Sequence, residues 1–248
     1  MTLNYNFSGK TVLVTGGSKG IGKQLVEKLL ETGASVISLS RSTGVFQNFS
    51  SNGNNFKVKE VKCDISNWDE FNSIINSLLP VDYLVNNAGL AKLTKFGDIN
   101  EKEIDEMINT NVKSVINISQ TVSNDWKHRS MRGVIVNLSS QASKRAINDH
   151  TVYCACKAAL DAITRNMALE LGPHNIRVNS VNPTAIMTDM GRLYWNDESK
   201  RDKLISRIPL ARLGEVNEVV DVIMYLLTDH CTLVTGAAIP IDGGFWAC

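Results

Sequence analysis

The sequence contains no long apolar run and no dominant charge. No stretch approaches the roughly 18 uninterrupted apolar residues of a membrane-spanning helix, so no transmembrane segment is expected. Residues 1–10 lack the charged-then-apolar order of a secretory signal peptide. The 26 Lys and Arg residues nearly balance the 25 Asp and Glu residues. Because nucleic-acid-binding proteins normally carry a basic excess, no nucleic-acid partner is expected.

The sequence has few cysteines, and their spacing matches no common disulfide or metal-binding motif. The five cysteines are an odd number, and none stands in C-x-x-C spacing. A disulfide framework or a zinc site normally shows such regularity, so neither is expected and no metal is assigned. We expect reduced thiols in a cytoplasmic protein, with the C-terminal one exposed. The residues are Cys63, Cys154, Cys156, Cys231 and Cys248.

Short β-branched runs alternate with segments of helical periodicity along almost the whole chain. This alternation predicts an α/β fold, a Rossmann-type doubly wound parallel sheet of seven strands with helices on both faces. No linker or repeat divides residues 1–248, which we interpret as a single domain. The predicted strands are residues 11–15, 35–40, 56–63, 82–86, 133–139, 177–181 and 238–241; the predicted helices are 21–31, 68–79, 102–126, 151–171 and 216–227.

Two segments interrupt the alternation. Residues 42–55 are rich in Ser, Asn and Gly, which predicts a loop with at best a weak helix. Residues 184–208 exceed a normal connection between a strand and a helix. Because connections of that length are often lids over a site, we expect these residues to form a substrate lid.

A glycine-rich turn follows the first predicted strand. Gly16, Gly20 and Gly22 allow a sharp turn and a close approach to a pyrophosphate, and the next helix would present its N-terminal N–H groups. The spacing G-x-x-x-G-x-G differs from the usual dinucleotide fingerprint, and it is not a phosphate loop ending in Gly-Lys-Ser/Thr. A turn without a ligand is the alternative, but the strand–loop–helix context favours a dinucleotide.

The end of the second predicted strand favours NADP(H) over NAD(H). The segment Ser40–Arg41–Ser42 offers a guanidinium and hydroxyls where an acid would repel a 2′-phosphate. Lys19 adds a second positive charge, although either cation alone is most simply a solvated surface residue. Asp64, after the third strand, either accepts from the adenine amino group or caps the helix near Trp68.

Tyr153 and Lys157 lie four residues apart on a strongly periodic helix and therefore share one face. A nearby ammonium is expected to lower the pKa of the tyrosine, which would suit general acid catalysis. A surface Tyr–Lys pair is the commoner explanation of this spacing, but Ser140 follows the fifth strand at the edge where ligands bind. Asn111 lies inside a predicted helix. Because asparagine is a poor helix former, its presence there indicates a special role.

With these residues in place, the chain resembles the short-chain dehydrogenases/reductases over its whole length. The motifs are TGGSKGIG, CDI, NNAG, NVKS, NLSSQ, YCACK and PTA, in that order. The resemblance implies that Tyr153 is the proton donor and that Lys157 tunes it and holds the nicotinamide ribose. It also implies that Ser140 orients the carbonyl and that Asn111 anchors a water in a proton relay.

The resemblance also implies a cofactor-binding set and a narrower substrate class. The chain also resembles members of the family that reduce small ketoses and α-dicarbonyls with NADPH as homotetramers. This resemblance implies that the substrate contacts in this chain are Ser140, Tyr153, Gln141, Ile147, His150 and Trp195. The implied cofactor set is Gly16, Ser18, Lys19, Gly20, Ile21, Gly22, Arg41, Ser42, Asp64, Ile65, Asn87, Ala88, Gly89, Tyr153, Lys157, Pro183, Ile186 and Thr188.

Several roles remain open at this level. The polar side chains of Gln141, Asn148 and His150 favour a small polyhydroxylated carbonyl over a steroid or acyl chain, but His150 equally suits capping or packing at the helix entrance. Trp195 either covers the substrate or fills the core beneath the lid. Phe245 and Trp246 in the apolar C-terminus either form a subunit interface or pack within their own subunit. Another ketose, a quinone, a xenobiotic carbonyl and a non-catalytic NADP(H)-binding role are the alternative functions.

Overall fold

The computed structural model describes residues 5–46 and 57–248. Seven strands form one parallel sheet: β1 (Thr11–Thr15), β2 (Ser35–Ser40), β3 (Lys57–Lys62), β4 (Tyr83–Asn86), β5 (Gly133–Leu138), β6 (Ile176–Pro183) and β7 (Ala238–Ile241). The strand order is β3-β2-β1-β4-β5-β6-β7. Chain order therefore reverses between β1 and β4, where open sheets of this kind bind ligands beyond the strands' carboxyl ends. The predicted fold class is confirmed.

Eight α-helices accompany the sheet within the described residues. They are α1 (Gly20–Glu31), α2 (Trp68–Ile75), α3 (Glu101–Ile108), α4 (Ser114–His128), α5 (Thr151–Leu171), α6 (Asp189–Tyr194), α7 (Glu198–Ile205) and α8 (Val216–Leu227). Residues Asn109–Lys113 form a π-helical turn that joins α3 to α4. The single helix predicted over residues 102–126 is thus one helical run with a local widening, a feature often found at functional sites.

Alternate residues of each inner strand enter two separate cores. Val12 and Val14 of β1 pack with α1 and α8 on one face, whereas Leu13 packs with α2, α4 and α5 on the other. This alternation follows from the two-residue period of a strand, and apolar residues at every position cover both faces. On the second face Trp126 is fully buried, and its indole donates to the Val81 carbonyl at 2.6 Å.

Several predicted boundaries are corrected by local chemistry. The helix α2 ends at Ile75 rather than at residue 79, and Pro80 follows soon after. The strand β6 is longer than predicted, spanning Ile176–Pro183, because buried Asn and Ser side chains continue it beyond the apolar run. The predicted lid contains α6 and α7, whose few apolar residues gave no clear periodicity. Within the predicted 42–55 loop, residues 42–46 are non-helical, and the rest lies outside the described residues.

Residues 5–46 and 57–248 also bear on membrane insertion, cysteine pairing and metal binding. There, no helix has the length and apolar content needed to cross a bilayer. All five cysteines are free, and Cys248 is the exposed one, as expected. Residues 5–46 and 57–248 contain no cluster of three His, Cys, Asp or Glu side chains suited to a metal ion.

Candidate active site

Two glycines of the turn between β1 and α1 leave no room for a side chain. Gly16 has a φ of +70°, and a Cβ there would lie 2.8 Å from the Ala88 Cα. A Cβ on Gly22 would overlap both the Asn87 side-chain amide and the Gly16 carbonyl. Backbone therefore lines the space beyond the carboxyl end of β1, as close approach of a pyrophosphate requires.

The N-terminus of α1 is electrostatically suited to an anion. Its N-cap residue, Lys19, makes no side-chain cap hydrogen bond, and the first turn contains no acidic residue. The free N–H groups and the positive end of the helix dipole therefore face the glycine turn. Ser18 and Ile21 lie in the same turn. These features fit the diphosphate of a dinucleotide.

Asn87 braces the end of β4 against the glycine turn. Its amide donates to the carbonyl oxygens of Thr15 and Gly16 at 2.9 and 3.1 Å. In return, the Thr15 hydroxyl accepts from the backbone N–H groups of Asn87 and Ala88, each at 3.0 Å. The two strands on either side of the chain reversal are thus fixed to each other. Sequence reasoning missed Thr15, whose role is visible only from this long-range contact.

The residues predicted to contact the adenosine ribose, Ser40, Arg41 and Ser42, follow one another at the end of β2. Arg41 and Ser42 are exposed to solvent. The Ser40 hydroxyl is buried and has no hydrogen-bond partner among the described residues. Because a buried hydroxyl without a partner is costly, this orphaned group fits a site whose remaining donor or acceptor comes from a ligand.

Asp64 follows β3, and its carboxylate accepts from both the backbone N–H and the hydroxyl of Ser66, at 3.0 and 2.7 Å. The N-cap of α2 is Asn67, which accepts from the Glu70 N–H at 3.2 Å. The alternative interpretation of Asp64 as the helix cap is therefore wrong. Ile65, beside it, is buried.

Ser140, Tyr153 and Lys157 meet at the carboxyl end of β5. The Ser140 hydroxyl lies close enough to the Tyr153 phenol to favour its ionised form. The Lys157 ammonium lies 5.6 Å from the centre of the Tyr153 ring and donates to the Leu138 carbonyl at 2.6 Å. The predicted trio is therefore one cluster, formed by the first turns of α5 against the end of β5.

Burial controls the ionisation of this cluster. Burial raises the pKa of Tyr153 above its ordinary value, and the interaction with the Ser140 side chain opposes that shift without overcoming it. The expectation that Lys157 lowers the tyrosine pKa is thus wrong for this structure, because desolvation is the larger effect. Burial also lowers the pKa of Lys157 to about 8. At neutral pH the phenol is protonated and the lysine is mostly cationic.

Asn111 lies in the π-helical turn, where its side chain clamps the backbone that follows β4. The amide nitrogen donates to the Leu90 carbonyl at 2.8 Å, and the amide oxygen accepts from the Leu90 N–H at 2.9 Å. A Cβ on Gly89 would lie 3.2 Å from the Asn111 oxygen and 3.7 Å from the Lys157 ammonium. The helix, the β4 loop and Lys157 therefore converge at Gly89.

The predicted substrate contacts occupy one segment and the lid. His150 packs edge-on against Tyr153, with ring centres 6.1 Å apart, and makes no cap hydrogen bond. Ile147, on the same segment, is half-buried. The Gln141 side chain is buried and accepts from the Thr184 hydroxyl at 2.8 Å. Trp195 is half-buried and packs against the small core formed by Ile208, Leu213 and Phe245.

The first residues of the lid lie against the glycine turn. Thr188 caps α6 by accepting from the Gly191 N–H, and a Cβ on Gly20 would lie 3.4 Å from its methyl group. A cleft of about 390 Å³ opens there between α1, the start of the lid and α8. Pro183 ends β6, and Ile186 is buried. These three lid-side residues of the predicted cofactor set thus follow the same strand end.

The C-terminal aromatics pack against their own chain. Phe245 is buried, and the Trp246 indole donates to the Gln141 carbonyl at 3.1 Å. The Lys144 ammonium lies 4.3 Å from the centre of the Trp246 ring. Of the two interpretations of this segment, packing within the subunit describes Phe245, and the tail directly supports the segment that carries Gln141.

The fold and this geometry match known proteins. The family model described as enoyl-(acyl carrier protein) reductase matches residues 16–246. The solved structure of 4-hydroxyisoleucine dehydrogenase complexed with NADH superposes with a TM-score of 0.91 at 28% identity, covering 97% of this chain and 100% of that one. The chain belongs to the short-chain dehydrogenase/reductase family of oxidoreductases, and its fold supports a nicotinamide cofactor.

Two relatives within this family have names that specify a substrate or a cofactor. The chain is 43% identical over 241 residues to the L-xylulose reductase of Homo sapiens, covering 97% of this chain and 98% of that protein. It is 38% identical over 245 residues to carbonyl reductase (NADPH) 2 of Sus scrofa, covering 99% and 100%. These similarities support a reductase of sugars or other small carbonyl compounds.

Proposed function

We propose that this protein uses NADPH to reduce L-xylulose to xylitol and α-dicarbonyls such as diacetyl to hydroxyketones. The observation that carries the proposal is the cluster of Ser140, Tyr153 and Lys157 beside the glycine turn. A protein that only bound the dinucleotide would not need a protonated phenol paired with a hydroxyl and a buried amine. The similarity to L-xylulose reductase supports the choice of substrate.

In the proposed reaction, the substrate carbonyl oxygen accepts hydrogen bonds from Ser140 and Tyr153. The chemistry that a bound dinucleotide would supply here is a hydride for the carbonyl carbon. As negative charge develops on the oxygen, the two hydroxyl groups stabilise it, and Tyr153 transfers its proton to complete the alcohol. At neutral pH the phenol of Tyr153 carries its proton, as the donor must before reduction begins.

Lys157 then returns a proton to the tyrosinate. Its pKa of about 8 makes it a donor at neutral pH and an acceptor at moderately alkaline pH. Asn111 holds the Leu90 backbone beside this ammonium, which supports a role in keeping a relay water in place. We therefore assign Asn111, Ser140, Tyr153 and Lys157 to catalysis.

The charge around the adenosine end supports NADPH. Arg41 and Lys19 are both exposed at the carboxyl edge of the sheet, and the Ser40 hydroxyl is buried without a partner among the described residues. A guanidinium binds phosphate through two parallel hydrogen bonds, whereas the segment contains no acid to select a ribose 2′-hydroxyl. The relative whose name specifies NADPH supports the same choice.

A broader carbonyl reductase is the second candidate, favoured by the similarity to carbonyl reductase (NADPH) 2. The polar Gln141 and His150 favour a hydroxylated substrate, because groups that hydrogen-bond a substrate discriminate against analogues without hydroxyls. However, the Gln141 side chain already bonds with Thr184. The sugar preference therefore depends mainly on His150 and on the lid.

Initial rates with NADPH and NADH against L-xylulose, diacetyl and a steroid ketone test the proposal. We expect NADPH to be preferred, L-xylulose and diacetyl to be reduced, and the steroid to be a poor substrate. Oxidation of NADPH with diacetyl but not with the sugar would favour the broader reductase. NADPH binding without turnover of any carbonyl would contradict both.

The proposed assembly is a homotetramer, which the family resemblance implies. The proposed location is the cytoplasm, where the unpaired cysteines would stay reduced. Several large apolar side chains are exposed on the single chain, including Phe96, Leu169 and Leu233. Exposed apolar surface of this kind supports subunit contacts. Sedimentation velocity of the purified protein tests the assembly, and a monomer across the micromolar range would contradict it.

A further inference from the structure

One carboxylate near the adenosine end binds the loop that follows Arg41. Glu60 of β3 accepts hydrogen bonds from the backbone N–H groups of Gly44, Val45 and Phe46, at 3.1, 3.0 and 3.3 Å. Three backbone donors on one carboxylate form strong charge-assisted contacts. A glutamate on an edge strand is usually only a solvated charge, so this arrangement is not explained by solubility.

The position of Glu60 follows from the sheet register. Glu60 pairs with Ser38, and Val58 pairs with Val36, so these residues lie on one face of the sheet. Val36 and Val58 pack in the core that contains α1, which identifies this face as the one under the glycine turn. Glu60 therefore lies on the same side of the sheet as the proposed dinucleotide site.

The loop is fixed at both ends. It leaves the sheet after Ser40 and returns at Phe46, which is buried in the same core. Between them, Gly44 adopts a φ of +88°, a conformation that brings successive N–H groups toward one acceptor and that side chains disfavour. Arg41 and Ser42 thus stand on a short span whose far end is held by Glu60.

The guanidinium of Arg41 has no comparable support. Among residues 5–46 and 57–248, no hydrogen bond or ion pair holds it, and the side chain is exposed. A long flexible side chain loses rotamer freedom on binding, so a fixed backbone beneath it reduces the cost of forming the phosphate contact. We propose that Glu60 is a positioning residue for NADPH selectivity, acting through the backbone that carries Arg41 and Ser42. This proposal rests on the proposed NADPH preference.

The test compares Glu60→Ala and Glu60→Gln with the unmodified protein, using KM and kcat for both nicotinamide cofactors. We expect Glu60→Ala to raise the KM for NADPH by about fivefold to tenfold, as expected when a preorganised contact is loosened. The KM for NADH and the kcat at saturating NADPH should change by less than about twofold, because neither depends on the 2′-phosphate contact. Glu60→Gln keeps one acceptor oxygen and should show a smaller rise.

Asp82→Ala is the matched control. The Asp82 carboxylate also accepts from a backbone N–H, that of Thr11 at 2.8 Å, but it lies at the amino end of the sheet. This control should lower the thermal midpoint without changing the ratio of the two KM values. If Glu60→Ala instead weakened NADPH and NADH equally, its effect would be general loosening, and the positioning role would be wrong.

A double-mutant cycle separates this proposal from the proposed cofactor preference. If Glu60 acts through Arg41, then Glu60→Ala should add almost nothing to the NADPH defect of Arg41→Ala. Full additivity would overturn the positioning role. If the unmodified protein shows no NADPH preference, or Arg41→Ala leaves it intact, the cofactor proposal fails instead. Gly44→Ala gives an independent check, because strain at that φ should reproduce the Glu60→Ala pattern.

Discussion

At the carboxyl edge of the sheet, the half formed by β4, β5 and α5 holds its side chains differently from the half formed by β1, β2 and β3. In the first, the catalytic half, the Asn86 amide donates to Ser119 and to Asn137, and the Asn137 amide donates to Thr164. This buried chain of hydrogen bonds links β4, α4, β5 and α5. In the second, the adenosine half, Arg41 and Lys19 are exposed and depend on loops.

The difference corresponds to what each half must do. Proton transfer requires atoms to be fixed within a fraction of an ångström, and a buried hydrogen-bond network in a low dielectric provides that rigidity. Within the described residues the Asn86 amide oxygen is the one atom of this chain of hydrogen bonds that lacks a partner. Recognition of a phosphate tolerates a mobile guanidinium, because charge attraction acts over longer distances. We therefore expect changes in the catalytic half to alter turnover and changes in the adenosine half to alter cofactor affinity.

The largest expected effect tests the catalytic half. Tyr153→Phe removes the proton donor while leaving the glycine turn intact, so turnover should fall by roughly a thousandfold or more. NADPH affinity, measured by fluorescence titration, should change little. The conservative change Ser139→Ala is a suitable control, because Ser139 is buried nearby and its hydroxyl bonds only the Lys157 backbone carbonyl within the described residues. Near-normal turnover in Tyr153→Phe would end the assignment.

The second effect concerns stability and the buried amine. The pKa of Lys157 is about 8 when folded, and it returns toward 10.4 in the unfolded chain. Between these values the unfolded chain binds the proton and the folded chain does not, so the free energy of unfolding rises with pH in this window. Below pH 8 the burial penalty is fully present, and it is on the order of 3 kcal/mol.

Replacing the amine reveals this penalty. Lys157→Met should be more stable than the unmodified protein at pH 7, and the gain should shrink as the pH approaches 10.5. Urea unfolding at several pH values measures the difference, in which the other titrating groups cancel. A gain that is constant with pH would show that the ammonium is not desolvated as described.

The third effect tests the adenosine half. Arg41→Ala should raise the KM for NADPH by about tenfold to a hundredfold, the range expected for lost hydrogen bonds to a charged group. The kcat at saturating NADPH and the KM for NADH should be preserved. Arg165, exposed on α5, provides a control, since Arg165→Ala removes the same charge elsewhere. A loss of kcat in Arg41→Ala would show that the two halves are mechanically coupled.

The residues of the two halves are predictable from the sequence to different extents. The Tyr153–Lys157 pair follows from helical spacing, and Asn111 stands out because asparagine disfavours a helix interior. The structure places Asn111 in a π-helical turn. Thr15 and Glu60 were missed, because each acts on backbone brought near only by the sheet register. The direction of the Tyr153 shift was also missed, since desolvation depends on packing rather than on spacing.

The smallest effect concerns His150, which belongs to the catalytic half but lies outside its buried network. Its imidazole nitrogen Nδ1 lies 2.6 Å from the Asn148 carbonyl, and its ring packs against Tyr153. If it contacts a substrate hydroxyl, His150→Ala should lower kcat/KM for L-xylulose by about threefold to tenfold, the value of one neutral hydrogen bond. Diacetyl, which has no hydroxyl, should be affected much less. An equal loss for both substrates would mean that His150 only supports the tyrosine ring, and the sugar preference would then have to arise from the lid.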